Sequence, residues 1–149
     1  QRALGVMSQI SRQLLAPDVI CYSAAISACE KGWQWPHAHR LLSEMLKRRI
    51  APDVICYNAS VSAFEKGGRW QHALTVMDLM RLQKVATNLI TYNAAIGACE
   101  RGRQWQPVLG LLGDLRLRRL RPDSVTYSAA VGAARRAGAA SRLWAWCMR

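Results

Sequence analysis

No stretch of the chain approaches the roughly 18 uninterrupted apolar residues that a membrane-crossing helix needs, which excludes a transmembrane span. Acidic residues are scarce. Nine Asp and Glu stand against 21 Lys and Arg in 149 residues, a formal net charge of +12, which points to an acidic partner, either nucleic acid or an anionic membrane surface. Cysteines number five (Cys21, Cys29, Cys56, Cys99, Cys147), an odd count without a C-x-x-C spacing. That excludes a dense disulfide scaffold and favours a reducing interior. The three histidines (His37, His39, His72) lack an H-x-E or C-x-x-C partner for zinc. No Gly-rich phosphate loop or Ser/His/Asp constellation is visible. The expectation is therefore a non-enzyme with no cofactor, no metal and no small-molecule substrate. The chain does not begin with Met and shows no secretory or transit segment. It reads as a piece of something longer.

What the chain does have is a period. Tyr22, Tyr57, Tyr92 and Tyr127 are spaced by 35 residues, and so are Asp18, Asp53, Asn88 and Asp123. Glu30, Glu65 and Glu100 keep the same step, as do Gly32, Gly67 and Gly102, and Trp35, Trp70 and Trp105. A repeat of this length marks a stacked array. With 51% hydrophobic residues the chain has apolar side chain enough for a core, so it is not disordered as a whole.

Each unit reads as two helices. Tyr22, Ala25, Ile26 and Cys29 fall at i, i+3, i+4 and i+7, one face of a first helix. Ala38, Leu41, Leu42 and Met45 repeat that spacing in a second helix. It returns as Ala73, Val76, Met77 and Met80, and as Val108, Leu111, Leu112 and Leu115. Gly32, Gly67 and Gly102 sit where a left-handed C-terminal cap is expected. Ala-Pro-Asp (51–53) and Arg-Pro-Asp (121–123) break the chain between units, and their Asp is placed to cap the next helix. Two helices of about a dozen residues cannot bury an apolar face alone, so neighbouring units must stack. The expected fold is an all-α solenoid.

The ends depart from the pattern. Ala3, Val6, Met7 and Ile10 match a second helix, so the chain opens halfway through a unit. Residues 124–149 give a first helix and part of a second, in which the pattern decays. There Arg135 replaces the Glu and Ala140 the Trp, with Leu143, Trp146 and Cys147 on a partial second helix.

The blocks Val-Ile-Cys-Tyr-Asn-Ala-Ser-Val-Ser-Ala (54–63) and Leu-Ile-Thr-Tyr-Asn-Ala-Ala-Ile-Gly-Ala (89–98) resemble the pentatricopeptide repeat. So do the Glu-Lys-Gly turn, the Ala-x-x-Leu-Leu-x-x-Met second helix and the closing Pro-Asp. The resemblance implies an array that binds single-stranded RNA along a groove lined by first helices, one base per repeat. In the frame of such arrays complete units run over 19–53, 54–88 and 89–123, with a partial unit at 1–18 ending in the orphan Asp18 and a partial, divergent fourth at 124–149. The fifth residue of a unit faces the Watson–Crick edge, the last braces it, and the second sandwiches the base. Carried over, Ser23 with Asp53 prefers guanine, Asn58 with Asn88 accepts cytosine somewhat over uracil, and Asn93 with Asp123 prefers uracil. Ser128 points to a purine. The implied target is 5′-G-(C/U)-U-purine-3′, sandwiched by Ile20, Ile55, Ile90 and Val125. The resemblance also implies a mitochondrial or plastid home, a part in RNA processing, stability, editing or translation, and protein partners in such a complex.

The residue chemistry agrees. An Asn amide carries a donor and an acceptor and can meet the mixed edge of a pyrimidine, and each edge contact discriminates by about 1–3 kcal/mol. Three complete units are expected to bind weakly after association entropy is met, on the order of micromolar or worse. The repeated Tyr and Trp read as packing rather than base stacking. The basic runs at Lys47, Arg48 and Arg49 and at 116–121 suit helix C-termini and add a salt-sensitive attraction to phosphate. No helix sets Lys and Arg cleanly opposite Trp and Leu, so no membrane partner is expected. The repeated Glu reads as structural. The competing class is a protein-interaction scaffold with a peptide in the same groove, but a peptide gives no reason for Ser/Asn to pair with Asp/Asn at two positions only.

Overall fold

The computed structural model describes residues 19–148, apart from the side chains at 140, 146 and 147. The reading of residues 1–18 (with Ala3, Val6, Met7, Ile10 and Asp18) and of the Trp146 and Cys147 side chains therefore lies outside the described residues. Eight helices follow in order among them: α1 Val19–Lys31, α2 Trp35–Lys47, α3 Val54–Lys66, α4 Trp70–Leu82, α5 Leu89–Arg101, α6 Gln106–Leu117, α7 Ser124–Arg136 and α8 Ala140–Cys147. The odd-numbered helices start 35 residues apart and pack side by side as one layer, α1 on α3, α3 on α5, α5 on α7. The even-numbered helices form a second layer. Each packs on its own partner, and α2 and α4 also pack on the first helix of the following pair, whereas they make no comparable backbone approach to one another. The chain is an all-α solenoid.

Small residues explain the difference between the layers. Ala59, Ser60 and Ala63 of α3, and Ala94, Ala95, Gly97 and Ala98 of α5, are all buried, and side chains this short let backbones approach closely. The second helices meet through larger groups: Leu41, Leu42 and Met45, then Val76, Met77 and Met80, then Leu111, Leu112 and Leu115, all buried. Close spacing on one side and wide spacing on the other makes the first-helix layer the inner face of the stack. Because α3 and α5 are enclosed by neighbours on both sides, they bury residues around most of their circumference. The single stripe that periodicity picks out is thus only part of their core.

Tyr22, Tyr57 and Tyr92 are fully buried, as the periodicity predicts. Tyr22 Oη donates to Glu44 Oε1 at 3.1 Å and Tyr57 Oη to Gln83 Oε1 at 2.5 Å. Tyr127 departs from the expectation of a core residue. It is 45% exposed, because α8 has only 8 residues and covers less of α7 than a full second helix would. Cys29, Cys56 and Cys99 are buried and not disulfide-bonded. Burial pushes all three thiols up, Cys99 to about 12, which keeps them protonated and unreactive.

The glycines need a correction. Gly67 and Gly102 have φ of −83°, an ordinary right-handed value. The left-handed residue is the next one: Trp33, Gly68, Arg103 and Gly138, with φ between 57° and 70°. There the chain closes a Schellman turn, with Arg103 N–H donating to Glu100 O and Gln104 N–H to Cys99 O. Gly67 and Gly102 are needed for another reason. The indole of Trp35 lies where a Cβ on Gly67 would be, and Trp70 does the same over Gly102. Each tryptophan thereby locks the start of a second helix to the turn of the following pair. Gly102→Ala should cost about 1–3 kcal/mol through displacement of Trp70, read as a lowered midpoint of thermal unfolding, whereas Gly113→Ala, whose added Cβ meets nothing within 4 Å, should be neutral or stabilising.

Candidate nucleic-acid interface

The inner face is built from the N-terminal turns of α1, α3, α5 and α7. Ile20, Ile55, Ile90 and Val125 sit there at 76, 62, 62 and 58% exposure. Four β-branched aliphatic side chains at one register, each left open to solvent, form a row of apolar ridges.

Polar groups lie between the ridges. Ser23, Asn58 and Asn93 are half-buried, one residue after each buried tyrosine, and Ser128 is exposed at the same register. Asp53, Asn88 and Asp123 are the N-caps of α3, α5 and α7, accepting from Cys56 N–H at 2.8 Å, Thr91 N–H at 3.0 Å and Thr126 N–H at 2.9 Å. The cap brings each to the preceding helix pair. Asn93 Nδ2 lies 3.4 Å from both Asp123 carboxylate oxygens. Asn58 and Asn88 are joined through Thr91, whose hydroxyl lies within hydrogen-bond reach of both Oδ1 atoms and can donate its one proton to either. Ser23 interacts with Cys56, whose own N–H donates to the Asp53 cap. Asp123 is held below the usual carboxylate value, first by the Thr126 N–H and then by its hydroxyl, so it is ionised at neutral pH.

Between α5 and α7 these groups enclose a cleft of about 400 Å³ lined by Asn93, Val125, Ser128, Gly97, Glu65 and Glu100, among others. It offers an amide donor, carboxylate acceptors and an apolar wall. The two glutamates are residues that periodicity treats only as structural. Each lies over the first helix of the next pair, and a Cβ on Gly97 would come 2.6 Å from Glu65 Oε1. Glu30 and Glu100 carry cationic partners from the next pair, Lys66 at 3.0 Å and Arg136 at 3.8 Å. Burial pushes the Glu65 carboxyl above its ordinary 4.5, against the pull of Arg101 and Lys66. A raised folded-state pKa stabilises the fold fully below the unfolded value, and that contribution is lost as pH rises through the folded one. Glu65→Gln should therefore raise the urea midpoint at pH 7 and have no such effect below pH 4.

Sequence reasoning passed over a second row. Lys31, Lys66, Arg101 and Arg136 recur every 35 residues in the last turn of α1, α3, α5 and α7, along one edge of the inner face. The 35-residue period was the signal that could have found them. The runs at 47–49 and 116–121 lie instead at the ends of α2 and α6 and in the loops after them. There part of the outer charge is bound within the protein, as in Arg48 with Glu44 at 2.9 Å. No group of three or more His, Cys, Asp or Glu that could hold a metal is found among the described residues.

Comparison with known proteins follows this geometry. Residues 40–101 match the pentatricopeptide repeat domain, and residues 20–50 match the PPR repeat. The structure resembles that of the pentatricopeptide repeat protein PPR10 from maize, with a TM-score of 0.80 and 24% identity over 97% of this chain. It also resembles PPR10 in complex with an 18-nt psaJ RNA element, with a TM-score of 0.73 at the same identity and coverage. The chain spans 21% of the length of PPR10 in each case. No curated protein matches it.

Proposed function

Because this chain belongs to the pentatricopeptide repeat family, we propose that it binds single-stranded RNA along the inner face, reading one base per helix pair. One observation carries the proposal: the exposed aliphatic row and the hydrogen-bonding pairs share one face at one register. A flat base would slide between successive ridges, Ile20 and Ile55, then Ile55 and Ile90, then Ile90 and Val125. Its edge would meet Ser23 with Asp53, Asn58 with Asn88, or Asn93 with Asp123, and Ser128 would take the fourth base. Asn93 with Asp123 sets a donor next to an anionic acceptor, which fits a carbonyl next to an N–H, as on uracil. The row of Lys31, Lys66, Arg101 and Arg136 would meet the phosphates.

The proposed action is passive. Holding a short segment extended and unstacked shields or exposes it, which would serve RNA processing, stability, editing or translation in a mitochondrion or plastid, with or without protein partners. No residue of the inner face is assigned a catalytic step, and no cofactor is required.

The test is fluorescence anisotropy of the chain against labelled GCUA, GUUA, a scrambled RNA and the matching DNA at two salt concentrations. The proposal expects GCUA and GUUA to bind more tightly than the scrambled RNA, with that ratio kept at the higher salt. Equal binding to all four that vanishes with salt would leave only the +12 charge at work and bring forward the peptide-scaffold alternative.

A further inference from the structure

Two threonines at the third position of a helix pair reach back into the pair before them. Thr91 Oγ1 bonds to Asn58 Oδ1, and Thr126 Oγ1 bonds to Asn93 Oδ1. Both threonines are fully buried. Thr126 is held from two sides, its backbone N–H donating to Asp123 Oδ1 at 2.9 Å and its hydroxyl accepting from Asp123 N–H at 3.2 Å. We propose that Thr91 and Thr126 are positioning residues that fix which end of the Asn58 and Asn93 amides meets the base. The inference rests on the RNA-reading role proposed above and goes beyond the fifth and last residues of each unit.

The need for such a residue follows from the amide itself. An Asn side chain flipped by 180° exchanges donor for acceptor, so an unrestrained Asn reads two different base edges. At Asn93 two groups make the choice together, Asp123 at one end of the amide and Thr126 at the other. The Asp123 carboxylate only accepts, so the amide end facing it must be Nδ2, 3.4 Å away. The other end is then Oδ1, which lies against the Thr126 hydroxyl; that hydroxyl's single proton is shared between Asn93 Oδ1 and Asp123 Oδ1, 2.8 Å away. One Nδ2 hydrogen remains for a base carbonyl. The flipped amide would set Oδ1 against a carboxylate, which is repulsive.

At Asn58 the corresponding cap is Asn88, which carries no charge. Only the Thr91 hydroxyl then orients the amide, and a softer restraint suits a site that accepts both pyrimidines. At Ser23 the third position of the next pair is Cys56. A serine hydroxyl rotates to donate or accept without moving its carbon frame, so it needs no orienting partner. Thus within this chain Asn is followed 33 residues later by Thr, twice, and Ser by Cys.

The experiment compares the whole chain with Thr126→Val, Thr126→Cys and Thr126→Ser by anisotropy, varying base three (GCUA against GCGA) and base four (GCUA against GCUC). Thr126→Cys places at this site the residue that the fold already holds at 56, so one variant retains the packing if valine does not. The uracil-over-guanine ratio at base three should fall about fivefold or more in the Val and Cys variants. Thr126→Ser should restore it, and the ratio at base four should be unchanged in all. A base-three ratio unaltered in Thr126→Cys would overturn the inference, as would a parallel loss at both bases. A parent chain that itself shows no preference at base three would instead sink the RNA-reading role, and this inference with it.

Discussion

Phe64→Ala lowers stability by about 3–5 kcal/mol, seen as a fall in the urea midpoint. Phe64 is fully buried and stands where the other first helices carry Cys29, Cys99 or Ala134. Its ring meets Trp35 edge-on at 6.4 Å and lies 6.0 Å from His39 and 5.4 Å from His72. These groups belong to α2, α3 and α4, so one side chain ties the first helix pair to the second. Its removal leaves a cavity between large, inflexible rings that cannot collapse to fill it. In a stacked array each pair contacts only its neighbours, so the loss is local: α1 and α2 detach before α3 to α7 unfold. Far-UV circular dichroism should therefore show two steps where the parent shows one. Ile90→Ala is the matching control. Ile90 is 62% exposed, so its loss changes stability by no more than about 0.5 kcal/mol while weakening RNA binding.

Much of this architecture was legible because helical periodicity reports contacts made along one helix. The stripes Ala38, Leu41, Leu42, Met45 and Ala73, Val76, Met77, Met80 are buried as their spacing predicts. Asp53, Asn88 and Asp123 do cap the first helices that follow them. Contacts across pairs were not legible, since no local pattern encodes them. Gly67 is fixed by Trp35 and Gly102 by Trp70, partners 32 residues away. Without that packing the glycine looks like the left-handed residue of a turn, and the assignment falls one position short. Tyr127 followed the pattern of three buried tyrosines, but burial depends on the length of the helix that covers it. Thr91 and Thr126 look like ordinary residues of a first helical turn. Their bonds to Asn58 and Asn93 span 33 residues and emerge only once the pairs are stacked. At the inner face, the resemblance supplied the positions. The structure adds the exposure of the aliphatic row and the hydrogen bonds among the polar groups.

The largest functional effect is expected from Asn93→Ser, which should move the preferred third base from uracil to guanine. The shorter side chain cannot span the 3.4 Å gap by which Asn93 Nδ2 now approaches Asp123. The carboxylate and a rotating hydroxyl are then left as acceptors, which suits the N–H-rich edge of guanine. The new pair would match Ser23 with Asp53, already present in the first unit. An edge contact of this kind is worth about 1–3 kcal/mol of discrimination. The decisive measurement is anisotropy of both proteins against GCUA and GCGA at two salt concentrations. The account predicts that the parent chain binds GCUA more tightly, the variant binds GCGA more tightly, and both preferences persist when salt is raised. Equal affinity of both proteins for both RNAs, collapsing together with salt, would contradict it.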